Sequence, residues 1–347
     1  MVVIIAGAGI AGTALALPLH EAGIQVTVRE AHPESSADAG AFLTLAENGM
    51  RALTQLGADG PVTAASAPLL RMRVSSADGT QLATAPLGEP GGPGYRYLTR
   101  ARLCAVLQHE VQARGIEIRR GERLVGFEPD PCGVTAVFAD GSRARGDVLV
   151  GADGLRSTVR GLLDPAAAPP RYVGQRVFYG YSPDPAIAGE PGTLQFVRGA
   201  AAFGYIVTRQ AGTWWFARVT AEELGRDRIA AGPTDGWKDQ LTALLRDDPG
   251  LLAIVRGTER VLVTDAYDLA NVRTWHRDRT IVIGDAAHAA SPATGQGASM
   301  ALEDAVALAG ALRDEADPAA AFAVYEELRR ERVEANTAAS ASMSART

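Results

Sequence analysis

Gly7-Ala8-Gly9-Ile10-Ala11-Gly12 has the spacing G-x-G-x-x-G, and Glu30 closes an alternating stretch, Gln25 to Glu30, shortly downstream. Each residue type there has a mechanical task toward a nucleotide. Gly7 permits a tight turn, Gly9 lets a pyrophosphate approach the backbone, and Gly12 lets a helix pack closely on a strand. Ile10 and Ala11 open the helix, where free amides and the positive end of the peptide dipoles favour phosphate. Glu30 suits ribose hydroxyls and disfavours a 2′-phosphate, so the dinucleotide read here is FAD or NAD and not NADP. The bland alternative is a structural glycine turn. The context, a strand before and a helix after, favours the nucleotide.

Two further segments place carboxylates at strand ends. Asp147-Val-Leu-Val-Gly-Ala-Asp153-Gly154-Leu-Arg156-Ser157-Thr-Val-Arg160 is an apolar strand running into D-G-x-x-S-x-V-R, and Thr280-Ile-Val-Ile-Gly284-Asp285-Ala-Ala-His288 ends in G-D-A-A-H. Ser291-Pro292-Ala-Thr-Gly295-Gln296-Gly297-Ala298-Ser299 follows as P-x-x-G-Q-G. Arg100, Leu103 and Leu107 form R-x-x-L-x-x-x-L, and Tyr325, Glu326, Arg329 and Arg332 lie in the closing helical stretch. In order and spacing these motifs resemble the class A flavoprotein monooxygenases, the para-hydroxybenzoate hydroxylase-like family. The likeness covers residues 1–60, roughly 95–165 and roughly 275–335.

The resemblance implies non-covalent FAD as cofactor and NADH or NADPH as a transient hydride donor. It implies that Asp285 hydrogen-bonds the ribityl chain and that Gly284 lets the cofactor close to the strand end. Arg100 is expected near the ribityl-pyrophosphate portion, and the loop Gly295, Gly297, Ala298 at the pyrimidine edge of the flavin. Asp153 is expected to support FAD and to influence NAD(P)H use. The implied reaction hydroxylates an electron-rich aromatic or polyketide-type molecule through a C4a-hydroperoxyflavin, the flavin carrying the chemistry. Epoxidation, Baeyer-Villiger insertion and flavin binding without turnover are the alternatives. The W-x-W-x-I-P signature of flavin halogenases is absent.

Read from the residues alone, Asp285 and Asp153 also suit turns or caps, Arg100 a solvated first turn, and His288 a structural core. Three departures from the family pattern stand out: Ser299 in place of the common Asn, Pro18 inside the first helix, and no arginine in the segment before Gly40. Phe42, Thr44, Tyr181, Phe203, Tyr205, Trp215 and Pro292 are the candidate substrate-pocket residues. Singly, such aromatics, with Tyr179 and Trp214, suit a sheet core; as a group they suit an apolar pocket wall that keeps water from the reacting centre.

The elements that must position these groups are legible in part. Val2 to Ala6, the helix Ile10 to Ala22 ended by Gly23, and Gln25 to Glu30 form a βαβ unit, which favours a parallel sheet. Helices are expected at Asn48 to Leu56, at Arg100 to Ala113 with Thr99 as N-cap, at Ser299 to Arg313 and at Pro318 to Ser340, the tail after Asn336 fraying. Leu69 to Ser75 reads as one strand and Pro86 to Gly94 as a loop. Short strands follow at Glu117 to Arg119, Leu124 to Glu128 and Val134 to Ala139. Alternating aromatic strands at Val177 to Tyr181, Leu194 to Val197, Phe203 to Thr208 and Thr213 to Val219 predict a separate antiparallel sheet. The expected fold is α/β (α+β), a Rossmann-like FAD-binding domain with a mostly parallel sheet (1–68, 99–170, 276–347), interrupted by an antiparallel substrate-binding domain (69–98, 171–275).

The 347 residues suffice for two such domains, and the net charge of -6, from 34 Lys plus Arg against 40 Asp plus Glu, argues against nucleic acid. Cys104 and Cys132 lack the pairing of a disulfide framework or a zinc site, so no metal is expected and a cytoplasmic setting fits. The uncharged stretch Met1 to Leu19 carries no basic leader and is broken by Gly7, Gly9, Gly12 and Pro18, against a membrane span. The partners expected are a small aromatic substrate, O2 and NAD(P)H, in a monomer or homodimer.

Overall fold

Val2–Ala6 is apolar throughout and β-branched at four of its positions, Val2, Val3, Ile4 and Ile5, which suits a strand covered on both faces. It lies inside a six-stranded sheet whose order is His276–Arg277, Thr280–Val282, Val148–Gly151, Val2–Ala6, Gln25–Glu30 and Glu117–Arg120. The neighbours are parallel except for the antiparallel edge pair His276–Arg277 and Thr280–Val282. The loops after three adjacent strands therefore leave the same carboxyl edge, where open α/β sheets bind ligands. Leu15 and Leu19 of the first helix, Leu103 and Leu107 of Arg100–Ala113, and Leu308 and Leu312 of Gly297–Asp314 share one core with this sheet. The computed structural model describes residues 1–34, 41–183, 189–208 and 212–345, Thr234 by its backbone alone. The segment before Gly40 with no arginine lies outside the described residues.

A second sheet has seven strands: Leu262–Asp268, Arg171–Ser182, Thr213–Thr220, Ala202–Val207, Thr193–Arg198, Arg71–Ser76 and Gln81–Pro86. It is antiparallel apart from the parallel pair Thr193–Arg198 and Arg71–Ser76. A three-stranded sheet, Phe42–Leu45, Tyr95–Thr99 and Ala67–Leu69, meets one face of it through Phe42, Leu69, Tyr97 and Ile206. The expected α/β class with separate parallel and antiparallel sheets holds.

Several expectations need correction. The run Leu69 to Ser75 is not one strand: Ala67–Leu69 pairs with Tyr95–Thr99, and the chain turns at Leu70 so that Arg71–Ser76 pairs with Thr193–Arg198. Tyr95–Thr99, Phe42–Leu45, Gln81–Pro86 and Leu262–Asp268 are strands too short or too mixed in polarity to announce themselves. The tail after Asn336 does not fray, because Pro318–Ser344 is one helix whose end is tied down. Ser340 Oγ donates to the Ser291 carbonyl at 2.5 Å, Ser291 and Ser344 hydroxyls lie 2.9 Å apart, and Gln175 Nε2 donates to the Ser344 carbonyl at 2.8 Å. Among the described residues, no helix is long and apolar enough to cross a membrane.

The largest correction concerns Phe203, Tyr205 and Trp215. They point to the face of the seven-stranded sheet covered by the helices Thr234–Leu244 and Pro249–Arg256, in one cluster with Phe178, Leu241, Leu251, Ile254 and Val255. The reason is the period of two. Trp214 and Phe216 occupy the opposite face with Phe42, so their neighbour Trp215 cannot. Trp215 is fully buried, stacks on Phe203 at 5.3 Å and donates from its indole to Thr258 Oγ1 at 2.8 Å. Trp215→Ala is expected to cost about 3–5 kcal/mol in urea unfolding, while leaving the FAD content of the folded fraction unchanged.

Candidate active site

The first loop at the sheet edge is a cradle built from backbone. Gly7 has φ 111°, and a methyl group there would collide with the Ala152 carbonyl; one on Gly12 would collide with the Gly7 carbonyl. A methyl on Gly9 would meet nothing within 4 Å, so the backbone is open at the position assigned to pyrophosphate. The helix Ile10–Glu21 begins there with no side-chain cap, leaving first-turn amides to a ligand. Pro18 sits inside this helix without ending it. Glu30 has a second task that its sequence position does not reveal: Oε2 accepts the Ala8 amide at 2.8 Å and Oε1 the His32 amide at 2.9 Å. An ionised carboxylate has about four acceptor sites, so room for ribose hydroxyls remains. Gln108 completes the clamp, donating to the Ala8 carbonyl at 2.8 Å while Arg120 donates to Gln108 Oε1 at 2.6 Å.

The late motif meets this cradle. Gly284 has φ 59° and ψ −141°, a conformation open to glycine, and a methyl on it would lie 2.9 Å from Ala11 Cβ. Asp285 follows, exposed, at the start of the short helix Asp285–His288. Asp304, fully buried on the helix Gly297–Asp314, holds this turn. Its Oδ2 accepts the Gly284 amide at 2.9 Å and contacts His288 Nε2 at 2.5 Å, and its Oδ1 accepts from Arg329 Nε at 2.8 Å. Arg329 also donates to Glu303 at 2.9 Å. Burial opposes charge on His288, but the Asp304 carboxylate outweighs it and holds the imidazole above its ordinary value. Burial likewise opposes charge on Asp304, and His288 with Arg329 holds its carboxyl below the ordinary range. His288 is thus a structural partner of Asp304. The sequence shows Arg329 only within the closing helical pattern, and its pairing with Asp304 across two helices has no local signal.

Asp153 is committed to its own turn. It accepts from Ser157 Oγ, from the Thr158 amide at 2.8 Å and from the Val159 amide at 3.2 Å, anchoring the helix Thr158–Leu163. Burial pushes its carboxyl up, and these hydrogen bonds offset part of that. Arg160 stitches this turn to the late one, donating to the Ala286 carbonyl at 2.9 Å and the Leu155 carbonyl at 2.8 Å. Arg100 begins its helix behind the Thr99 cap, side chain exposed, its amide bonded to the Ala41 carbonyl at 3.1 Å. Ser299 is explained by packing: its Oγ accepts the Ala46 amide at 3.1 Å, and a methyl on Gly49 would lie 2.5 Å from that oxygen.

Gly295 lies beside Thr44, since a methyl on it would sit 3.2 Å from Thr44 Oγ1. Pro292 opens the same loop as a single 3-10 turn, Pro292–Thr294. Two residues from Thr44 and on the same face of its strand, Phe42 approaches Trp214 and Phe216 with ring centroids at 5.9 and 6.0 Å. Tyr181 and Tyr97 stand edge-on to Trp214 at 5.4 and 5.5 Å. Of the residues expected at the pocket, Phe42 and Tyr181 meet Trp214, Thr44 lies on the same strand beside Gly295 and Pro292 opens the Gly295 loop, whereas Phe203, Tyr205 and Trp215 lie on the opposite face of the sheet.

These residues fit FAD. The open backbone at Gly9, the uncapped amides of Ile10 and Ala11, Glu30, the exposed Asp285 and the buried, unpartnered Gln296 Oε1 supply the donors and acceptors an adenine-ribityl-flavin molecule needs. A glycine cradle and an exposed carboxylate thus leave the same carboxyl edge of one parallel sheet, an arrangement suited to a flavin dinucleotide. Residues 1–340 match the family described as FAD binding domain, and the chain belongs to this family of class A FAD-dependent aromatic monooxygenases. It is 33% identical to aurachin C monooxygenase/isomerase of Stigmatella aurantiaca, over 96% of this chain and 86% of that one. It is 31% identical to an FAD-dependent urate hydroxylase of Klebsiella pneumoniae, over 96% and 87%. The crystal structure of Klebsiella pneumoniae HpxO complexed with FAD and uric acid superposes with a TM-score of 0.89 at 26% identity, covering 99% of this chain and 88% of that one.

Gly284→Ala adds strain of about 1–3 kcal/mol at the turn, so the FAD dissociation constant, read by flavin fluorescence, is expected to rise about 5- to 150-fold. The raised His288 value makes a second prediction. The folded state binds the proton more tightly, so this contribution is complete below the unfolded value of about 6.5 and lost as pH rises through the higher folded value. Urea midpoints of wild type should fall over that alkaline side, and His288→Gln should lack this slope.

Proposed function

We propose that the protein hydroxylates an electron-rich ring held between the Gly295–Ala298 loop and the aromatic face of Phe42, Tyr181, Trp214 and Phe216, at the expense of NADH or NADPH and O2. The observation that carries this reading is the juxtaposition of the Gly295 loop, beside Thr44, with Phe42 on the same face of that strand and with Trp214 and Phe216 against Phe42. FAD supplies, when bound, the transfer of two electrons from the nicotinamide and the activation of oxygen. Gly7, Gly9, Ile10, Ala11, Gly12 and Glu30 bind its nucleotide half, and Asp285, Arg100, Gly295, Gly297 and Ala298 bind the rest, with Asp153 bracing the second loop. The amides near Gly297 and Ala298 stabilise negative charge on the flavin edge. The aromatic face orients a flat ring by stacking and edge contacts and keeps water out, which protects the activated oxygen from release as peroxide. The urate hydroxylase and the aurachin C monooxygenase among the relatives support a ring substrate. A nicotinamide docks transiently, as the first glycine cradle is taken by FAD. We assign the protein to the cytoplasm on its sparse, unpaired cysteines.

The test is the FAD-loaded protein with NADH or NADPH and a panel of phenols, indoles and hydroxylated heterocycles under labelled O2. Stimulated NAD(P)H oxidation with one labelled oxygen in the product is expected. Oxidised product without label would overturn the oxygenase reading. Trp214→Ala removes edge contacts from the ring and is expected to raise KM about tenfold and to increase hydrogen peroxide released per NAD(P)H.

A further inference from the structure

Five arginines among the described residues are nearly fully buried: Arg29, Arg160, Arg176, Arg218 and Arg329. Four have acceptors. Arg29 pairs with Glu122, Arg176 with Asp265, Arg329 with Asp304 and Glu303, and Arg160 with two backbone carbonyls. Arg218 is 4% exposed, and its Nε and Nη1 are both buried with no hydrogen-bond partner. Its guanidinium lies 5.9 Å over the Phe196 ring, and its ionisable neighbour among the described residues is Tyr179, whose phenol burial pushes up to about 12. A desolvated guanidinium without an anion is a costly arrangement that folding alone does not favour.

The strand period decides where this group points. Trp214, Phe216 and Arg218 alternate onto one face of Thr213–Thr220, the face that meets Phe42. Arg218 stands opposite Val177 on one side and Ala202 on the other, and Ala202 stands opposite Arg198 on the next strand. A row thus runs from a buried cation through a single methyl side chain to an exposed cation, beside the aromatic wall. Directly paired residues share a face, so Ala202 and Arg198 lie on the side of Arg218.

We propose that Arg218 is the specificity anchor for the substrate, receiving an anionic oxygen substituent, a carboxylate or an ionised ring hydroxyl, so that this enzyme takes acidic ring compounds in preference to neutral ones. This rests on the reading of the Phe42–Trp214–Phe216 face as the substrate side. The planar fork of the guanidinium matches two coplanar oxygens, and Phe196 fixes its plane. A site built to bond an anion rejects the neutral analogue because the buried donors stay unpaired.

The test titrates the FAD-loaded protein with benzoate against benzamide, naphthoate against naphthamide, and indole carboxylate against its carboxamide, reading the flavin absorption change and the rate of NAD(P)H oxidation. At least one acid should bind about tenfold or more tighter than its amide, and Arg218→Gln should abolish that preference with little effect on amide binding. Arg218→Lys should restore part of it. Arg218→Met should unfold at the same or higher urea concentration than wild type, since it removes an unpaired buried charge; a large loss of stability would mark Arg218 as structural and overturn the proposal. Amides equal to acids in every pair, silence of all the acids, or an acid preference retained in Arg218→Gln would also overturn it. Where the wild type holds FAD and oxidises NAD(P)H, such a failure falls on Arg218 alone; loss of those properties falls on the broader reading.

Discussion

One buried carboxylate joins the two ends of the chain. Asp304 takes the Gly284 amide, the His288 ring and the Arg329 guanidinium at once. It thereby holds a glycine in a left-handed conformation against Ala11 in the first turn of the first helix. A lone ionised group at this depth would be strongly disfavoured; two cationic partners and an amide make it tenable. Without it the late turn would lose its hold beside Ala11 of the first helix. The cofactor site is therefore a consequence of helix-to-helix pairing behind the sheet as much as of the loops in front of it.

The same economy recurs at the other loops. Arg160 reaches from the helix after Asp153 to the Ala286 carbonyl, so the second and third loops are tied together. Gln108 and Glu30 grip the Ala8 peptide from both sides. The tail of the last helix reaches Ser291 and Gln175, linking the Pro292 loop to the antiparallel sheet. These contacts are polar, buried and few, and each satisfies backbone groups that a loop at a sheet edge would otherwise leave unmatched.

The antiparallel sheet carries different chemistry on its two faces. One face carries Phe178, Phe203 and Trp215 into a dry cluster under two helices, and the other carries Trp214, Phe216 and Arg218 toward Phe42. Apolar area explains the first. The second mixes rings with an uncompensated cation, which is poor design for a core and suitable for a ligand.

The glycine cradle, its strand and helix, the late G-D turn and the family were readable in the amino-acid order, because short-range sterics confine those conformations to glycine and a handful of spacings. The Thr99 cap and the βαβ unit were readable for the same reason, each resting on contacts within a few residues. Which of two adjacent tryptophans packs under the helices and which meets Phe42 was not, since alternation establishes a period but leaves its phase to whatever packs on the sheet. The strands Phe42–Leu45 and Tyr95–Thr99 were hidden because their partners lie far off in the chain. The pairing of Asp304 with His288 and Arg329 and the serine anchoring of the tail were likewise unreadable. Their value comes from burial and from neighbours brought in by folding, and only the assembled tertiary structure supplies either.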